Sequence, residues 1–360
     1  MPKDRINEID LLRFLAVMAV VIFHYAFRGY AADNMSIMPY PLAPVAKYGF
    51  FGVHLFFLIS GFVILMTASS GSLRRFFVSR FSRLYPAFWV CCTITFIVTA
   101  LIGGTHYTAS ISQYLVNMTM MSGFVGVDAI DGVYWSLFIE LRFYAFIAAI
   151  LMIGKIRKVQ LFLLVWLIAC IVLDVLHISK LRSFLIVDYA GFFIGGATFF
   201  LIWSKGLSRQ RVAMIVGSFS LAMYETLHDM SRFEQEFNTD INRFVVAGII
   251  TGLFTIMSLI SLRRTGSFGR RQWILAGGIT YPLYLLHQNI GFMIFDVAYP
   301  AIDKHLLLWG TILMAIGTAS AVHILIEQRF SSQVKKSIDN AIDYTHRSII
   351  RLFNKIRQSR

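Results

Sequence analysis

Ile9-Asp10-Leu11-Leu12-Arg13-Phe14-Leu15-Ala16-Val17-Met18-Ala19-Val20-Val21-Ile22-Phe23-His24 is an apolar run broken by one guanidinium and one imidazole. With the residues that follow, it makes a segment, 10–30, of the roughly 20 residues that a membrane-crossing helix needs. The run carries charge and no small-residue cleavage site, and further apolar runs follow it. It therefore reads as a retained helix and not a signal peptide. Eleven residues separate Arg13 from His24. At 100° per residue that is about three full turns, so both side chains share one helix face, roughly 16 Å apart along the axis. Alone, Arg13 reads as a side chain snorkelling to lipid phosphate, and His24 as a satisfied polar contact. Two such groups on one face of a membrane helix favour a shared polar path.

The rest of the chain agrees with a bilayer setting. Of its 360 residues, 57% are apolar and only 14% charged, with a mean hydropathy of +0.68. Soluble domains run nearer a quarter charged. The net charge of +14 does not point to nucleic acid, because the basic residues sit in short clusters between apolar runs and not on one soluble face. Ten spans are predicted: 10–30, 50–70, 84–103, 134–154, 159–177, 184–203, 212–228, 243–262, 273–297 and 305–326. With both termini on the cytoplasmic side, 24 Lys and Arg lie in inside segments and 6 on the outside, counting Arg243 at the outer edge of its span, as the positive-inside rule requires. Outside loop 104–133 has no Lys or Arg, and outside loop 229–242 is acidic. The expected fold is an all-α polytopic membrane protein of about ten transmembrane helices. Residues 1–330 form the membrane domain and 331–360 a basic cytoplasmic tail. In the tail, Ile349, Ile350, Leu352, Phe353 and Ile356 recur at near-helical spacing, which suggests an amphipathic surface helix. Cys91, Cys92 and Cys170 lie in apolar runs without metal-ligand spacing, so neither a disulfide framework nor a metal site is expected.

Titratable groups in the other spans mark further candidates. Ser136, Glu140 and Tyr144 are spaced i, i+4, i+8 on one face of the fourth span. Glu140 needs a partner there, either an arginine in a structural pair or His24, whose imidazole it would orient. Tyr134 and Trp135 alone would pass for interfacial aromatics. The second span carries His54. The inside segment after it holds Arg74, Arg75, Arg80 and Arg83, which suit forked hydrogen bonds to a polyphosphate or attraction to anionic lipid. The ninth span carries Tyr284 and His287 beyond Pro282, where a kink is expected. His323 and Glu327 are i, i+4 neighbours suited to an ion pair or a headgroup contact.

Five stretches in order together resemble acyltransferase family 3, integral-membrane O-acyltransferases of carbohydrates and other small acceptors. They are Arg13 through His24, Phe51-Gly-Val-His54 through Phe62, Arg80-Phe-Ser-Arg83-Leu-Tyr-Pro86, Tyr134-Trp135-Ser136 through Glu140 and Tyr144, and Tyr284-Leu-Leu-His287. The resemblance covers about 5–330. Many members carry Asp where His54 stands, and Pro soon after the late histidine, where this chain has Gln288 and Asn289.

The resemblance implies a stand-alone membrane acyltransferase of the bacterial cytoplasmic (inner) membrane, with acyl-CoA, by default acetyl-CoA, as co-substrate and no permanently bound cofactor. It implies that Arg80 and Arg83, with Arg74, Arg75 and Arg13, meet the donor phosphates, and that the thioester arm runs between Arg13 and His24. His24 then acts as general base, Glu140 holds the imidazole or receives charge, and Trp135 or Arg13 supplies an oxyanion donor. Trp135, Ser136, Tyr144, His54, Tyr284 and His287 position the acyl group or acceptor. The expected partners are acyl-CoA, a hydroxyl acceptor such as a surface carbohydrate, membrane lipid and a polysaccharide-assembly complex, but not nucleic acid. The rival readings are a transporter or exporter of a small solute or glycan intermediate, against which the lack of an internal repeat speaks, and an inactive scaffold.

Overall fold

In a computed structural model of the protein, residues 6–32, 35, 39–176 and 178–358 are described, the side chains of 345–358 excepted. The five apolar tail positions named above, Ile349 to Ile356, therefore have side chains outside the described residues. Every regular element among the described residues is a helix. The main helices are α1 (Asn7–Phe23), α2 (Phe51–Ala68), α3 (Leu73–Ile102), α4 (Ile111–Asn117), α5 (Tyr134–Met152), α6 (Val159–Leu176) and α7 (Val187–Lys205). They continue with α8 (Arg209–Phe237), α9 (Arg243–Ser261), α10 (Ile274–Leu286), α11 (Gln288–Ala298), α12 (Lys304–Val322) and α13 (Gln328–Gln358).

Eight helices among the described residues are long and apolar enough to cross a bilayer, not ten. The other two expected spans exist as helices of a different kind. The segment 212–228 lies inside the 29-residue α8, whose polar second half lowers its mean hydropathy. The segment 273–297 is two short helices, α10 and α11, meeting at His287. Pro282 sits within α10, and the interruption falls five residues later. There the Tyr25 hydroxyl donates to the carbonyl of His287 at 2.5 Å.

The basic segment after α2, expected as a loop, is mostly helix. Ser72 caps α3, its hydroxyl accepting from the Arg75 N–H, so Arg74 to Arg83 ride on the first turns of α3. Two helices change winding at flagged residues. A π-turn, His24–Arg28, continues α1, and a second, His323–Glu327, joins α12 to α13. Such turns cluster at functional sites because they turn side chains out of the regular helical register.

Helix α1 packs against both α2 and α10, and α7 is held between α2 and α8. The α2–α7 approach depends on glycine. A Cβ on Gly196 would lie 1.9 Å from the carbonyl oxygen of Leu58, and one on Gly61 2.2 Å from that of Phe193. In lipid, where apolar burial drives little helix association, such close backbone packing holds helices together. The terminal helix α13 returns along the start of α3, where Arg74 donates to Asp339 at 3.0 Å and to Asp343 at 2.5 Å. All three cysteines are buried and free.

Candidate active site

Three cavities lie in series along α1. The inner one, on the side expected to face the cytoplasm, is bounded by Asp10, Arg13, Arg83, His323 and Glu327. It shares Arg13, Arg83 and Tyr281 with a middle cavity into which Ser60, Arg80, Glu140 and Tyr144 also face. The middle cavity shares Val53 and Tyr284 with an outer one that holds His24, His54, Trp135 and Gln288. The middle cavity is the waist, about 100 Å³ against about 460 and 430 Å³ for the inner and outer ones. Arg13 thus lines the inner and middle cavities and His24 the outer one, as the shared helix face anticipates.

The inner and middle cavities gather three guanidiniums. Arg80 and Arg83, i and i+3 on α3, point to the same side as Arg13. Arg80 Nη2 donates to Thr67 Oγ1 at 3.1 Å and to Ser79 Oγ at 3.3 Å, whereas Arg83 is exposed at the mouth. Arg74 and Arg75 stand apart: Arg74 is engaged by the carboxylates of α13 and Arg75 is exposed. His323 Nδ1 contacts Glu327 Oε2 at 2.6 Å, the ion pair anticipated from their spacing. A Cβ on Gly278 would lie 2.2 Å from His323 Nε2, so glycine makes the room for that ring.

Glu140 takes partners other than His24. One carboxylate oxygen accepts from the Tyr144 hydroxyl at 2.8 Å and from the hydroxyl of Ser60. This corrects the expected Glu140–His24 pair. The carboxylate lies in the middle cavity among the arginines, and the imidazole in the outer one. Ser60 was missed because a serine in an apolar helix ordinarily bonds back to its own backbone.

His24 pairs instead with His287. His24 Nδ1 lies 2.8 Å from the Val20 carbonyl and 3.1 Å from His287 Nε2. His287 Nδ1 lies 2.8 Å from the carbonyl of Tyr284. Carbonyl oxygens only accept, so in the neutral rings both Nδ1 atoms carry the proton. His287 Nε2 is then the bare acceptor for His24 Nδ1–H. His24 Nε2 is left as the basic nitrogen of a residue that lines a cavity. At the joint between the middle and outer cavities, the Ser136 and Tyr284 hydroxyls meet at 2.6 Å. Trp135 and His54 face the outer cavity, His54 edge-on to Phe50 and Phe192.

The segment before α5 closes over this end. Asp131 is wholly buried. It accepts from the N–H of Val133 at 3.1 Å and from that of Asn289 in the first turn of α11 at 3.2 Å. Loss of hydration pushes its carboxyl up to about 7, against the opposing pull of those two donors and of Arg28. A raised carboxyl stabilises the fold while protonated, so its contribution is full below about pH 4 and is lost as pH rises through 7. The melting temperature of the solubilised protein is accordingly expected to fall from pH 5 to pH 8. Asp131→Asn should flatten that slope, and an equal slope in the variant would remove Asp131 as its source.

The family model described as an acyltransferase domain, of the acyltransferase 3 type, matches residues 6–326. Nodulation protein 10 of Rhizobium leguminosarum bv. viciae is 32% identical over 173 residues, 41% of this chain and 45% of that protein. A putative acetyltransferase, ORF330, of Acidianus two-tailed virus is 26% identical over 159 residues, 44% of each. The peptidoglycan O-acetyltransferase OatA of Listeria monocytogenes serovar 1/2a is 29% identical over 171 residues, 42% of this chain and 25% of that protein. The matches span less than half the length of these relatives. No solved structure matches the chain.

Proposed function

Since the chain belongs to the acyltransferase 3 family, we propose that it moves an acyl group, most simply acetyl, from cytoplasmic acyl-CoA to a hydroxyl of a surface carbohydrate across a bacterial inner membrane. The observation that carries this reading is the series of linked cavities, with arginines at one end and a hydrogen-bonded imidazole at the other. The acyltransferase names of two relatives support the acetyl group, and two bacterial relatives support the membrane. The family leaves the transporter reading without a supporting observation.

In this mechanism Arg83 and Arg80 grip the donor phosphates at the inner mouth by charge-assisted bonds. The narrow waist takes the thin thioester arm and brings the carbonyl to the Ser136–Tyr284 joint. His24 Nε2 removes the proton of the acceptor hydroxyl as its oxygen attacks the thioester carbon. The Ser136 and Tyr284 hydroxyls, which otherwise donate to the Val133 carbonyl and to each other, turn to donate to the tetrahedral oxyanion. On collapse the carbon–sulfur bond breaks, and the proton held by His24 passes to the departing thiolate, giving the ester and free CoA. Throughout, His24 Nδ1–H stays on Val20 and His287, so the imidazolium forms with its second N–H already bonded.

Arg83 gives the cleanest test because no described protein group depends on its side chain for a hydrogen bond. Arg83→Ala is expected to raise the KM for acetyl-CoA about 10- to 100-fold, the loss of one or two hydrogen bonds to a charged group, with kcat at saturation little changed. The readout is labelled acetyl transfer by purified protein in nanodiscs, with orientation checked by cysteine labelling of whole cells. Unchanged donor KM, or an effect confined to orientation, would reduce the arginine cluster to a topological signal.

A further inference from the structure

The outer cavity carries charge that the transfer chemistry does not use. Asp229, Arg232 and Glu236 stand at i, i+3 and i+7 on α8, one face of a helix, and all three border this cavity together with Arg28. Two carboxylates and two guanidiniums therefore surround an opening that leads to His24, and their formal charges cancel. Aromatic rings line the cavity as well. Trp135 and Tyr189 lie with ring centroids 5.6 Å apart, and both face the cavity.

We infer that this cavity seats an uncharged sugar, and that Asp229, Arg232 and Glu236 select it. This rests on the reading of the chain as a carbohydrate acyltransferase. A pyranose offers an apolar C–H face to aromatic rings and a rim of hydroxyls that both donate and accept. Carboxylates take the hydroxyl protons and guanidiniums supply theirs, so a ring with neighbouring hydroxyls satisfies both signs at once. An acceptor bearing a carboxylate or phosphate meets Asp229 and Glu236, and one bearing an ammonium meets Arg28 and Arg232. Each is drawn to the opposite pair only by competing with the charges already beside it, Glu236 beside Arg28 and Asp229 beside Arg232. Discrimination of this sort comes from the mismatched charge more than from new attraction.

The test uses the full chain in nanodiscs with labelled acetyl-CoA and p-nitrophenyl glycosides of glucose, galactose, N-acetylglucosamine, glucuronic acid and glucosamine. At least one uncharged glycoside should be acetylated with a kcat/KM about tenfold or more above that of the glucuronide and the glucosaminide. The double variant Asp229→Asn, Glu236→Gln should narrow the gap to the glucuronide about tenfold through acceptor KM, with donor KM unchanged. Because both residues are exposed at the rim, the fold should tolerate the change. Equal use of glucuronide and glucoside, or no response of the glucuronide to the double variant, overturns the inference and leaves the acyltransferase reading intact. Acetylation of no glycoside by protein that binds CoA overturns the assignment of a sugar in the same way. Absence of CoA binding defeats the underlying reading itself.

Discussion

Acyl transfer by the His24→Ala variant is expected to fall about 1,000-fold, within the range that a positioned general base supplies, with the KM for acetyl-CoA unchanged. His24 contributes the one nitrogen of the histidine pair, Nε2, that neither carries a proton nor accepts the N–H of the other ring. The arginines that hold the donor lie in the cavities before it. His287→Ala should cost less, about tenfold in kcat. The Val20 carbonyl still claims the Nδ1 proton and keeps Nε2 basic, while the imidazolium loses one of its two acceptors. A purely structural His287 would change protein yield without changing kcat per folded molecule. Acylation retained in His24→Ala, measured as label fixed on the acceptor, would remove His24 from the chemistry. A His287→Ala loss as large as that of His24→Ala would show that the two rings act as a unit.

What the sequence made legible was whatever depends on one helix at a time. Arg13 and His24 could be placed on a common face because eleven residues is three turns, and both line the series of cavities. The apolar runs gave the helices, since a bilayer demands length and hydropathy of each segment separately. Partners across helices were not legible. His24 and His287 are 263 residues apart and Ser60 and Glu140 are 80 apart. Of the two partners offered to Glu140, an arginine or His24, the imidazole lies in another cavity, because the packing of α5 against α2 sets Ser60 opposite Glu140. Winding was hidden too, for nothing in His24-Tyr25-Ala26-Phe27-Arg28 announces a π-turn. The polar half of α8 was read as an acidic loop. Its i, i+3, i+7 spacing at Asp229, Arg232 and Glu236 was the available sign of a helix face turned to one side. Ser72 was likewise the available sign that the arginines after it begin a helix.

Glu140→Leu should prevent accumulation of folded protein, whereas Glu140→Gln should fold and lose activity. Among the described residues Glu140 is the one carboxylate facing the middle cavity, into which Arg13, Arg80 and Arg83 also point. Removing one partner of a buried charge set leaves the others uncompensated in a low-dielectric surround, which typically costs about 3–5 kcal/mol. Leucine removes the charge and also strands the hydroxyls of Ser60 and Tyr144, which donate to the same oxygen. Glutamine keeps an acceptor for those two hydroxyls, so the packing of α2 on α5 survives. Its missing charge should nonetheless let the arginines rearrange around the thioester arm. The expected signature is a monodisperse Gln variant with a melting temperature lowered by several degrees and a donor KM altered, beside a Leu variant that aggregates on extraction. If the Leu variant folds as well as the wild type, the cavity arginines are compensated by water or lipid phosphate. Glu140 would then serve the donor alone, and its carboxylate should be required for turnover and not for assembly.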